Sequence, residues 1–186
     1  MRLKAELRKE LLQKRRSIIG KEQADSLICK NLLESELYKN ADKVLFYAAL
    51  KDEINIDYCI SDALSRGKCT GLPVCCDTDG NMKFYSINSL NDLRCGFFGI
   101  REPNTERCAE IVDFKNALCI VPAVAYDKNG YRLGYGKGYY DRFLQKVNVI
   151  SVGLCYNELI IDELPAEKHD ISVNYIITRQ GIFLCS

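Results

Sequence analysis

Residues 129–144 read NGYRLGYGKGYYDRFL, and no other stretch limits the possible folds of this chain as tightly. Gly134, Gly136 and Gly138 stand at alternate positions, with Arg132 and Lys137 among them and Tyr139, Tyr140, Asp141 and Arg142 following. Upstream, ALCIVPAVAY at 117–126 is a nearly continuous apolar run that reads as a buried strand. Downstream, Tyr140, Phe143, Leu144 and Val147 fall at helical spacing. The order strand, glycine-rich loop, helix places free backbone N–H groups and a positive dipole end where an anion is favoured. Glycines let the backbone approach a ligand closely. Arg132 and Lys137 add formal charge, and Asp141 adds a carboxylate suited to a divalent cation. The stretch reads as a polyphosphate loop with its metal.

Two familiar phosphate motifs do not fit. A P-loop needs glycine where Tyr131 stands, and Ser or Thr in place of Gly138. A dinucleotide fingerprint begun at Gly134 needs glycine in place of Tyr139. The competing reading is a flexible surface turn, against which the cations, tyrosines and carboxylate packed into it weigh.

The 186 residues suit one domain over 1–186, with no repeat, low-complexity tract or linker to divide it. Lys and Arg number 26 against 25 Asp and Glu, so no global charge points to nucleic acid or a membrane surface. Ten cysteines without a C-x-x-C pair, beside the single His169, make a zinc site a poor fit. Cys59, Cys119 and Cys155 lie in apolar runs, where a reduced thiol packs as a small hydrophobe. The charged N-terminal stretch MRLKAELRKELLQKRR is neither a signal peptide nor an anchor. These features predict a cytoplasmic protein of a reducing compartment.

Leu3, Leu7 and Leu11 recur every four residues, so 2–18 is expected to be an amphipathic helix with a strongly basic polar face. Either that face is simply solvated, or Lys4 and Arg8, one turn apart, reach back to phosphates. RNA binding is disfavoured because no aromatic residues are interleaved to stack bases. A second helix is expected over 21–38, with Ala24, Leu27, Ile28, Leu32 and Leu37 inward. KVLFYAAL at 43–50 reads as a strand ending at Lys51, Asp52 and Glu53, where open α/β sheets place ligand contacts. A helix over 56–66 follows, then the strand TGLPVCC and a turn at 77–81 into MKFYSI.

From 88 to 116 the pattern loosens to a helical turn near Leu90, then GFFGIREP. Phe97 and Phe98 are core residues or face a flat ring. Glu102, held extended by Pro103, is expected to present its side chain. VISVGLCY at 149–156 is another buried strand, and ISVNYIIT closes the sequence of elements. His169 is read as a surface-loop residue, and Asp170 as a possible second metal carboxylate. Alternating strands and helices predict an α/β domain with a mostly parallel sheet.

Taken in order, KAELR at 4–8, DEI at 52–54, GIREP at 99–103, VPAVAYDKNGYRLGYGKGYYDR at 121–142 and LPAEKHD at 164–170 resemble the 5-formyltetrahydrofolate cyclo-ligase family over nearly the whole length. The resemblance implies a three-layer α/β/α sandwich, similar to the ribose-phosphate isomerase and CoA-transferase group. It implies ATP- and Mg²⁺-dependent closure of 5-formyltetrahydrofolate to 5,10-methenyltetrahydrofolate, with release of ADP and phosphate. On that basis Lys4, Ala5, Glu6, Leu7 and Arg8 bind ATP with the loop Arg132, Leu133, Gly134, Tyr135, Gly136, Lys137, Gly138, Tyr139 and Tyr140. Tyr47, Ala48 and Glu53 bind the folate, together with Tyr135, Gly136, Lys137, Gly138 and Tyr139. Lys137, Tyr139 and Arg132 carry the chemistry, and Asp141 and Asp170 hold Mg²⁺.

Three positions depart from the family pattern: Tyr135 where some members carry arginine, Asn174 for a frequent aspartate and Asn157 for a frequent glutamine. These bear on folate affinity. Rival readings are an ATP-independent sugar-phosphate isomerase or CoA-transferase relative, with Glu53 or Glu102 as base, and a non-catalytic nucleotide- or RNA-binding module. The charge-rich helices predict a monomer.

Overall fold

A computed structural model describes residues 4–77, 80–96 and 99–185. The amphipathic N-terminal segment forms α1 (Lys4–Ser17), with Leu11 and Arg15 as its buried residues. The expected second helix is two: α2 (Lys21–Glu34) and α3 (Glu36–Asn40). Ser35 divides them. Its backbone is extended (φ −69°, ψ 146°) and its hydroxyl accepts from Tyr38 N at 3.1 Å, the N-cap geometry that serine favours over a helix interior. Leu27, expected inward, is 45% exposed, since Ala24, Ile28 and Leu32 define the buried stripe and Leu27 sits on its shoulder.

The main sheet has eight strands. In chain order they are β1 (Lys43–Leu45), β2 (Cys69–Cys75), β3 (Met82–Ile87), β6 (Glu110–Ile111), β7 (Ala117–Val121), β10 (Ile150–Leu154), β12 (Tyr175–Thr178) and β13 (Gly181–Leu184). Their spatial order is β13-β12-β10-β7-β1-β2-β3-β6. The pairs β1–β2, β1–β7, β7–β10 and β10–β12 are parallel, and the outer pairs β2–β3, β3–β6 and β12–β13 are antiparallel. Strand β13, which returns as a hairpin on β12, has no counterpart in the sequence expectation. The shorter strands β4 (Leu93–Cys95) and β5 (Arg101–Pro103) pair with each other, while β8 (Ala125–Asp127), β9 (Arg132–Leu133) and β11 (Ile160–Ile161) form a small third sheet.

Helices lie on both faces of the main sheet. Leu64 of α4 (Asp57–Ser65) lines one groove with Thr70 and Ile87. Thr70 and Pro73 point to opposite faces, and Pro73 is paired with Phe84. On that second face Phe143 of α5 (Tyr139–Lys146) packs on Phe84 at 4.9 Å and edge-on to Phe114 at 5.2 Å between ring centroids. The α/β class and mostly parallel sheet are as expected. None of the helices among the described residues is long and apolar enough to cross a membrane.

The apolar run 117–126 is not one strand. Proline has no N–H for a central ladder, and at Pro122 the chain leaves the main sheet, then enters the small one at β8. That exit creates the site. From β1 the chain proceeds to β2 on one side, whereas from β7 it proceeds to β10 and β12 on the other. The order therefore reverses between β1 and β7, and a crevice opens beyond their carboxyl ends.

One packing contact on the approach to this crevice gives a direct test. A Cβ at Gly153 of β10 would stand 2.3 Å from the Tyr126 ring, whose hydroxyl donates to Val121 O at 2.8 Å in the fully buried core. Gly153→Ala is expected to cost about 1–3 kcal/mol by urea unfolding, the usual range for overpacking. An unchanged midpoint would mean that the ring moves aside freely.

Candidate active site at the strand switch point

The glycine loop leaves β9 and ends at α5, directly over this crevice. Gly138 caps α5 with φ +67°, a left-handed conformation that disfavours side chains. Arg142, one turn into α5, braces the loop by donating to Lys137 O through Nη2 and to Gly80 O through Nε at 3.0 Å. Tyr139 donates its hydroxyl to Asp77 O at 2.8 Å, so the β2–β3 hairpin closes one side of the loop. Lys137 is exposed at the loop tip, and its ammonium has no hydrogen bond or ion pair among the described residues.

Helix α1 closes the opposite side. Arg8 Nε donates to Gly134 O at 2.6 Å, and its guanidinium lies 3.4 Å from where a Gly136 side chain would begin. Lys4 pairs with Asp170 at 2.7 Å and Glu167 at 3.0 Å. Burial works against the charge on Lys4, but the two carboxylates outweigh it and raise its pKa. Burial likewise opposes the Asp170 charge, which Lys4 and the Glu167 N–H more than offset, lowering its pKa. Of the expected ATP stretch 4–8, only Lys4, Leu7 and Arg8 turn inward; Ala5 and Glu6 are exposed.

Arg132 departs from expectation. Its side chain is only 5% exposed, donating to Asp141 Oδ1 and Ile171 O at 2.6 Å each. It is thus a brace beneath the loop and is not presented to a ligand. Leu133 is buried in the core, and the Tyr140 hydroxyl is buried without a hydrogen-bond partner among the described residues.

The Asp141 bonds, from Arg132 and from Ile171 N at 3.1 Å, use Oδ1, and those of Asp170, from Lys4 and Glu167 N, use Oδ2. The Ile171 bond ties Asp141 to the backbone of the residue that follows Asp170. No group of three or more His, Cys, Asp or Glu suited to a metal occurs among the described residues. Mg²⁺ commonly takes one or two carboxylates and fills its shell with water and substrate phosphate. This pair fits a metal that arrives with a polyphosphate, not a dedicated protein cage.

A recess adjoins the loop, lined by Arg15, Tyr47, Glu53, Ile54, Ala123 and Tyr156 among others. Tyr47 is buried and donates to Ile54 O at 3.0 Å; Ala48, also buried, follows it. Glu53 Oε2 accepts from Leu50 N at 3.0 Å. Burial raises the Glu53 pKa, only partly opposed by Leu50 N–H, Arg15 and Tyr135. A raised folded-state pKa gives stability at low pH that is lost as pH rises through it, so at neutral pH the Glu53 charge works against folding. Glu53→Gln is expected to hold or raise Tm at neutral pH while weakening ligand binding; a lower Tm would contradict this balance.

Arg15 and Arg142 are the contributors that the sequence reading missed. The signal for Arg15 was present, because it continues the four-residue spacing of Leu3, Leu7 and Leu11 and so lies on the apolar face. Arg142 carried no comparable signal. Asn174 binds the Ser151 N–H and hydroxyl through Oδ1, at 2.8 and 3.0 Å, and Asn157 binds Gln180 and Thr178. Both tie strands and turns together. Glu102 is extended as expected but buried at 6% exposure. His169 is on the surface, with its side chain 70% exposed. Phe97, Phe98 and Asp79 of the hairpin turn lie outside the described residues.

A family model described as the 5-formyltetrahydrofolate cyclo-ligase family matches residues 1–179. The chain belongs to that family. Among cyclo-ligase relatives, a probable 5-formyltetrahydrofolate cyclo-ligase of Schizosaccharomyces pombe is 30% identical over 171 residues, 83% of each chain. The Mus musculus 5-formyltetrahydrofolate cyclo-ligase is 25% identical, covering 92% of this chain and 91% of its own. An NMR structure of Aquifex aeolicus 5,10-methenyltetrahydrofolate synthetase superposes with a TM-score of 0.84 at 33% identity, covering 98% of this chain and 93% of that one. A synthetase structure from Mycoplasma pneumoniae gives a TM-score of 0.75 at 25% identity, covering 95% and 98%.

Proposed function

We propose that this chain closes 5-formyltetrahydrofolate to 5,10-methenyltetrahydrofolate at the expense of ATP, using the glycine loop for the polyphosphate and the Glu53 recess for the folate. The observation that carries the reading is their juxtaposition at the β1/β7 switch point, with Arg8 held against the glycine loop at Gly134 and Lys137 exposed at its tip. A formamide is a poor electrophile and its oxygen a poor leaving group. Attack of the formyl oxygen on the γ-phosphorus expels ADP and leaves an iminium phosphate. N10 of the folate then adds to the formyl carbon, and loss of phosphate and the N10 proton gives the methenyl bridge.

Both nucleophiles in this sequence belong to the substrates, so the protein supplies position and charge compensation. Lys137 and Arg8 face the phosphates, the α5 N-terminus and loop N–H groups hold them, and Tyr139 lies beside the reacting formyl group. Arg132 acts through Asp141, which it fixes in place. Asp141 and Asp170 would hold Mg²⁺, which when bound compensates phosphate charge. The free thiols of all ten cysteines support a reducing, cytoplasmic setting; burial pushes those of Cys119 and Cys155 up to about 12. We read the working unit as a monomer with a single catalytic domain.

The phosphorylation step is tested with heavy oxygen in the formyl group. The label is expected in the released inorganic phosphate. Label retained in water or in the folate would mean that the formyl oxygen is never phosphorylated.

A further inference from the structure

Arg15 occupies a place in the fold that the reaction sequence above leaves without a role. It ends the apolar stripe of α1 at 3% exposure, on the wall of the Glu53 recess. Nη1 donates to Ala123 O at 3.0 Å, just past the carboxyl end of β7, and Nη2 donates to the Tyr135 hydroxyl at 2.5 Å. Nε is buried and has no hydrogen-bond partner among the described residues. A buried donor without an acceptor is costly and is usually retained for a reason. Glu53 lines the same recess, so a cation and an acceptor share it.

We propose that Arg15 is a specificity-determining residue of the folate site, its Nε–H donating to the ring carbonyl of the substrate's pyrimidinone while Glu53 engages the adjacent ring N–H groups. This rests on the folate reading above and adds a residue to it. A cyclic amide edge shows an N–H donor beside a C=O acceptor, and a carboxyl group beside a guanidinium complements that pattern. A ring with an amine in place of the carbonyl would set donor against donor. Sites built around such a bond reject the mismatched analogue strongly because a buried group is left unpaired. The competing account is a bolt that only fastens α1 to Ala123; a bolt affects stability and every ligand alike.

The test compares two reduced pteridine ligands that differ only in ring carbonyl against ring amine, bound to wild type, Arg15→Gln and Arg15→Lys. Folate and ATP KM values and Tm are measured alongside. Wild type is expected to prefer the carbonyl ring by about tenfold or more, and Arg15→Gln to reduce that preference to about threefold or less. The folate KM should rise and the ATP KM stay within about twofold, as loss of one ligand's contact requires. A preference that survives in Arg15→Gln, with only Tm lowered, overturns the proposal in favour of the bolt. If Arg15→Gln does not fold, the wild type decides, with Arg15→Lys as a charge-retaining control: equal affinity of the wild type for the two rings overturns the proposal. Wild type without ATP-dependent turnover would sink the functional reading and this proposal together. Turnover with unaltered discrimination would sink this proposal alone.

Discussion

Lys137→Ala is expected to lower kcat/KM for ATP by about a hundredfold to a thousandfold, the cost typical of losing one preorganised charge at a reacting centre. The folate KM should change far less. The side chain is exposed at the tip of the glycine loop and has no partner among the described residues, so its removal breaks no packing and leaves no charge orphaned. Its backbone carbonyl, which receives the Arg142 guanidinium, is unaffected by the substitution. Loop geometry should therefore survive and the loss be confined to phosphoryl transfer. Steady-state kinetics with ATP varied at saturating folate make the measurement. An ATP kcat/KM within threefold of wild type would remove Lys137 from the phosphate site.

Asp141→Ala is expected to destabilise the fold by about 3 kcal/mol, because it leaves the Arg132 guanidinium buried without its carboxylate. The pair is tight at 2.6 Å, and Arg132 is almost fully enclosed, at 5% side-chain exposure against 19% for Asp141. Asp141→Asn keeps an acceptor for Arg132 and Ile171 N, so it should recover part of that loss. It should still raise the Mg²⁺ concentration needed for half-maximal rate, since an amide oxygen is a poorer ligand than a carboxylate. Urea unfolding separates the two variants, and a Mg²⁺ titration of Asp141→Asn isolates the metal effect. An unaltered titration would place Asp141 in a purely structural role beneath the loop.

Much of this arrangement was legible before any coordinates. The α1 stripe, the β2–β3 hairpin, the buried β7 and β10 strands and the loop-to-α5 junction all rest on periodicity or glycine placement, which are local properties. Breaks were harder to see. Ser35 and Pro122 each interrupt an apolar pattern that continues across them, and only their backbone requirements show where the chain turns. The small sheet of β8, β9 and β11 depends on partners far apart in sequence, which no local pattern encodes.

Site charges were legible as residue types but not as roles. Arg132 and Lys137 look alike in the string, yet one is enclosed against Asp141 and the other stands in solvent. Arg15 was hidden for the opposite reason: counted with its basic neighbours on the polar face of α1, it is the cation that the helix buries.

The most direct measurement is an absorbance assay for the methenyl product, with purified protein, 5-formyltetrahydrofolate and Mg²⁺, in the presence and absence of ATP. Growth of the chromophore only with ATP, in step with ADP, is the predicted result. A folded protein that gives no chromophore, or gives it equally without ATP, would contradict the account.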